Sequence, residues 1–87
     1  MERLRRDPRW PFQEIEGQVV VLVPPRREVH QLDEVGSFVW ACLQTARTLE
    51  EVVAAVCGEF EVAEERARRD VAEFLASLEE KGLVVRA

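Results

Sequence analysis

The side chains able to do chemistry in this 87-residue chain are few and scattered. A single histidine, His30, stands apart in sequence from both serines, Ser37 and Ser77, and from both cysteines, Cys42 and Cys57; there is no tyrosine and no asparagine. Nucleophilic catalysis needs a base within reach of the nucleophile and a third group to orient that base, and no such grouping is present. Cys42 and Cys57 have no CxxC spacing and no second histidine to complete a metal site, and they fall on or beside apolar helical stripes, so they read as buried, reduced thiols. The glycines at 17, 36, 58 and 82 are isolated, which leaves no cradle for a phosphate. The chain is therefore expected to have no catalytic residue, no metal and no cofactor, and not to be an enzyme.

Recognition is the chemistry that remains. Trp10 and Trp40 are candidate anchors, although Trp40 lies beside a core stripe and reads as packed. His30 is either a partner contact or pH-sensitive group, or an ordinary half-buried strand residue. Arg66, Arg68 and Arg69 either meet an acidic partner or pair locally with Glu64, Glu65, Asp70 and Glu73. The net charge of −5 is uneven. Residues 1–47 balance, whereas residues 48–87 carry all of the excess acid and make a poor surface for phosphate backbones.

Those residues must be positioned by one small core. A chain of this length buries roughly 60–65% of its unfolded surface, so a surface groove is a better working part than a deep active site. No apolar run reaches the ~20 residues of a membrane span, and the first residues lack the apolar stretch of a signal peptide. The expected location is cytoplasmic. Residues 1–9 are charged and end near Asp7-Pro8, which predicts a flexible N-terminal arm before a domain over 10–87.

Within that domain, Phe12 to Glu16 predicts a strand, Gly17 a turn, and Val19–Val23 a β-branched second strand stopped by Pro24-Pro25. Glu28, Val29, His30, Gln31 and Leu32 alternate as a third strand. Asp33 then caps a helix over about 34–44 with the stripe Val35, Phe38, Val39, Cys42, Leu43. Thr48-Leu49-Glu50-Glu51 is a capping box opening a second helix, which Gly58 is expected to stop. A third helix over about 64–81 carries Ala67, Val71, Phe74, Leu75 and Leu78, and Gly82 ends it, with Leu83 folding back and Val84-Val85-Arg86 running out extended. Three strands and then three helices predict an α+β fold. A three-stranded meander leaves two edges, each able to accept another strand.

Taken together, these pieces resemble the small pyrroloquinoline-quinone biosynthesis protein D (PqqD-like) domains, also called recognition elements of ribosomally made, modified peptides. The resemblance covers residues 17–84. It rests on Gly17 with Val19–Val23, on Leu32-Asp33-Glu34-Val35-Gly36 running into Phe38-Val39-Trp40, on Arg47-Thr48-Leu49-Glu50-Glu51-Val52-Val53, on Phe60-Glu61-Val62, and on Asp70-Val71 with Phe74-Leu75, Leu78 and Gly82-Leu83-Val84. Ala63 departs from the pattern, since a polar cap is more usual there.

The resemblance implies a winged-helix-like, non-catalytic domain that binds the leader segment of a precursor peptide and presents it to a maturation enzyme, either a radical SAM enzyme or a leader peptidase. It further implies that the leader adds as a strand beside the third strand, at Glu28, Val29, His30, Gln31 and Leu32. Its side chains would pack against Arg68, Ala72, Leu75 and Ala76 of the third helix. Quinone-cofactor (PQQ), lasso-peptide and cyclised-peptide natural-product pathways all use such domains. The alternative on the same architecture is a winged-helix DNA-binding regulator. Charge weighs against it, because residues 63–81 are net acidic where a recognition helix is cationic, so no nucleic acid or membrane partner is expected.

Overall fold

The computed structural model describes residues 2–87. The elements run β1 (Leu4–Arg6), β2 (Phe12–Ile15), β3 (Gln18–Val23), β4 (Glu28–Gln31), α1 (Glu34–Cys42), α2 (Leu49–Glu59), α3 (Glu64–Glu80) and β5 (Val84–Arg86), with one 3-10 turn over Pro24–Arg26. β2, β3 and β4 form the expected antiparallel meander and the three helices follow it, as an α+β fold requires.

Local chemistry explains most of these boundaries. Glu16 and Gly17 both have positive φ, 53° and 81°, the pairing of a two-residue hairpin turn whose twist matches the flanking strands. Val19, Val21 and Val23 alternate into the core from β3. The Asp33 carboxylate accepts the Gly36 amide at 2.7 Å and so starts α1. Thr48 and Glu51 exchange their bonds at 3.1 and 2.8 Å and start α2. Ala63 gives α3 no side-chain cap, and Glu64 and Glu65 instead set negative charge against the positive helix end. Gly82, at φ 73°, closes α3, with the Leu83 amide on the Leu78 carbonyl at 2.9 Å.

Beneath the sheet, Trp40, Leu43, Leu78 and Leu83 join the valines of β3, α1 and α2 in the core. Burying each such side chain contributes about 1.5–3 kcal/mol. The indole of Trp40 is packed as its place beside the stripe predicts, edge-on to Phe12 at 5.7 Å between centroids.

Three features depart from the sequence reading. Leu4–Arg6, placed in a flexible arm, forms β1 and pairs antiparallel with the tail strand β5, Leu4 opposite Arg86 and Arg6 opposite Val84. On its other side Leu4 exchanges backbone bonds with Arg47 at 2.8 and 2.9 Å. The next residue, Asp7, is buried, its amide on the Leu83 carbonyl and its carboxylate gripped by Arg9 at 2.7 Å. Partners this remote in sequence leave no local pattern to read. For the same reason the expected three strands become five in two sheets. Gly58 lies inside α2 without a positive φ; the helix ends instead where Phe60 turns extended and sets its ring edge-on to Phe38 at 5.4 Å.

Candidate functional site

The strand order β2-β3-β4 leaves β4 as an edge. Its register sets Gln31 opposite Val20 and Val29 opposite Leu22, and the Leu32 amide donates to the Val19 carbonyl at 2.8 Å. Antiparallel pairing alternates, so Glu28, His30 and Leu32 turn their backbone groups towards β3, and Val29 and Gln31 turn theirs outward. The Leu22 amide, committed to the Pro11 carbonyl on the β2 side, fixes the same phase. Two residues of β4 therefore offer amide and carbonyl groups to an added strand.

Beside that edge runs a cleft of about 430 Å³ between β4 and α3. Val29, His30, Gln31, Leu32 and Asp33 form one wall, and the other is one side of α3 at helical spacing, Phe74, Ser77 and Leu78, with Lys81 at its C-terminal cap. At one end, Arg26 donates to the Lys81 carbonyl at 2.8 Å and stands 3.6 Å from Glu28, whose carboxylate also lies 3.1 Å from His30 Nε2. Asp33 and Phe74 mark the other end. There the cleft meets a second hollow of about 690 Å³ bounded by Val35, Phe60, Val62 and Phe74.

Of the residues singled out from sequence, Val29, His30, Gln31 and Leu32 line the cleft and Glu28 sits at its mouth. The four helix positions fall elsewhere. Arg68 is ion-paired to Glu50 on α2 and stands 3.5 Å from Glu64, Leu75 is in the core, Ala72 is half-buried and Ala76 exposed; none lines the cleft. Arg66 lies 3.5 Å from Asp70, the local i,i+4 pairing that helical spacing allows, and Arg69 lies 3.8 Å from the same carboxylate as its chain neighbour. Trp10 is half-buried and donates its indole N–H to the Gly82 carbonyl at 2.8 Å, which anchors the N-terminal segment to the end of α3. Phe74, Ser77 and Lys81 were not marked by the sequence as site residues; the only available signal was their shared spacing.

Neither cysteine lines this cleft. Both cysteines are half-buried and unpaired, and burial pushes the Cys42 thiol up, away from the reactive thiolate. Among the described residues no group of carboxylates, cysteines and histidine could hold a metal, and no helix is long and apolar enough to cross a membrane.

The face of the sheet turned away from the helices has a different composition. By register it carries Gln13, Ile15, Gln18, Val20, Leu22, Val29 and Gln31 and not one charge, in a chain that is one-third charged. Ile15 and Val29 are 53% and 65% exposed on it.

Comparison with known proteins reaches nearly the whole chain. The family described as coenzyme PQQ synthesis protein D (PqqD) matches residues 18–84. TbiB1, solved in complex with the TbiA(beta) leader peptide, is 31% identical over 92% of this chain and 93% of its own, with a TM-score of 0.83. A lasso peptide synthetase B1 complexed with its leader peptide shares the fold at a TM-score of 0.82, with 24% identity over 94% of this chain and 96% of its own. No curated protein sequence is significantly similar to the chain.

Proposed function

Because the chain belongs to the coenzyme PQQ synthesis protein D family, we propose that it is a non-catalytic chaperone for a ribosomally made precursor peptide, binding the leader segment and presenting it to a maturation enzyme. The enzyme is a radical SAM enzyme or a leader peptidase, and the exchange takes place in the cytoplasm. The observation that carries this reading is the edge of β4, with the outward groups of Val29 and Gln31 beside a cleft open along α3.

A leader strand laid on this edge gains backbone bonds that tolerate many sequences, while its alternate side chains enter the cleft and are selected there. On the helix, the positions proposed to meet it are Phe74, Ser77, Leu78 and Lys81. The other set of leader side chains lies on the uncharged outer face beside Val29 and Gln31. An enzyme seated on Ile15, Val20 and Leu22 would then touch domain and leader together, which suits a partner that must recognise the loaded form.

Hydrogen exchange with a leader peptide that binds the chain saturably tests the reading. The Val29 and Gln31 amides should become protected on saturation, and His30, already committed to β3, should change little. Saturable binding with no added protection at Val29 and Gln31 would remove strand addition from this edge.

A further inference from the structure

The two ends of the cleft differ in charge, and this difference bears on which peptides it accepts. At the end beside the start of β4, the Glu28 carboxylate is already engaged by Arg26 and His30. Lys81, the chain's one lysine, lines the same end; among the described residues its ammonium has no carboxylate within ion-pair distance, and the bonds it makes, the carbonyl to Arg26 and the amide to Ser77, are both of the backbone. At the opposite end, Asp33, Glu61, Asp70 and Glu73 line the second hollow against the single guanidinium of Arg66, which is itself 3.5 Å from Asp70. One end therefore has a spare cation and the other a surplus of carboxylates.

We propose that Lys81 is a specificity-determining residue of the cleft, selecting peptides that seat an Asp or Glu side chain at the end of the bound strand lying beside the start of β4. The inference rests on the peptide-binding reading of the cleft. A carboxylate placed there meets an ammonium held at the end of α3, whereas the same residue near Asp33 and Glu73 meets like charge. Complementarity at one end and repulsion at the other act as attraction and exclusion together, so the acidic residue also fixes which way along the groove the peptide lies. The lysine is well placed to be swapped without loss of fold, because its helix-capping role uses the backbone, with the Lys81 amide on the Ser77 carbonyl at 3.0 Å.

A random peptide library displayed on phage and selected in parallel on the wild-type chain, Lys81→Gln and Lys81→Glu tests this, with circular dichroism confirming that each is folded. Wild type should enrich an Asp or Glu at one fixed position within an otherwise shared pattern. Lys81→Gln should lose that preference, and Lys81→Glu should replace it with Lys or Arg while keeping the rest of the pattern. For a selected peptide, Lys81→Glu should weaken binding about fivefold at low salt, as an exposed ion pair would, and a basic residue at the peptide's acidic position should restore it. A shared pattern whose charge preference is the same on all three proteins would overturn the role of Lys81 and leave peptide binding standing. Folded wild type that enriches no pattern would overturn both.

Discussion

The hydroxyl of Ser37, on the first turn of α1, accepts the backbone amide of Val19 at 2.8 Å. It donates in turn to the Leu32 carbonyl at 3.3 Å, so a side chain stands in the last rung between β3 and the segment leaving β4. The helix is thus tied into the sheet at the end of the β4 edge. Ser37→Ala leaves the Val19 amide buried without a partner and should cost about 1–3 kcal/mol of stability, read as a lower urea midpoint with an unchanged slope. Hydrogen exchange at Leu32 should quicken in the same variant.

Proline substitution along β4 should give an alternating result. Val29→Pro and Gln31→Pro each remove an outward amide and should weaken peptide binding by about 0.5–1.5 kcal/mol, with circular dichroism little changed. His30→Pro removes an amide committed to β3 and should lower stability itself. Calorimetry with the leader, set beside thermal melts, checks the pattern.

Gly36 marks where α1 comes close to the cleft wall. A Cβ there would lie 2.9 Å from Phe74 Cζ and 3.0 Å from Asp33 Oδ1, so Gly36→Ala must push the Phe74 ring or loosen the cap of α1. Overpacking of this kind typically costs about 1–3 kcal/mol. Because Phe74 borders both hollows, peptide affinity should fall as well, which titration of the folded variant would reveal.

Acid should loosen the N-terminal segment through Asp7. Its carboxyl is held below the usual carboxylate range, chiefly by the hydrogen bonds from the Arg9 guanidinium and against the opposing effect of burial. A folded-state value lower than the unfolded one stabilises the protein above the ordinary carboxylate range, and that contribution disappears as pH falls through the folded value. Melting temperature should therefore drop as pH goes below about 4. Asp7→Asn should be less stable than wild type at neutral pH and show a shallower acid decline, checked by melts from pH 7 down to 2.5.

Much of this architecture is legible in local sequence because the signals are local. Thr48 with Glu51 announces α2, Gly82 before Leu83 ends α3, and the alternation of Val29, His30 and Gln31 gives the strand half of the cleft. The helix half is harder to read. Residues on both flanks of the α3 stripe are mixed, and which flank faces β4 is decided by packing between helices, including the Arg68–Glu50 pair that turns Arg68 towards α2. The β1–β5 pairing is invisible for the reason that its partners lie at opposite ends of the sequence.

The same clasp has a consequence for the order in which the domain assembles. The meander and the helices are built from contacts between near neighbours in the chain, but the rungs joining Leu4 to Arg86 close almost the whole length as a single loop. The entropy of such a closure grows with the logarithm of loop length and must be met before the rungs give anything back. During synthesis β2, β3 and β4 can pair while the residues of β5 are still inside the ribosome, so the β4 edge takes shape before the clasp that later joins β1 to β5. In the finished protein these rungs, fewer than those of the meander, can open while β4 stays paired with β3.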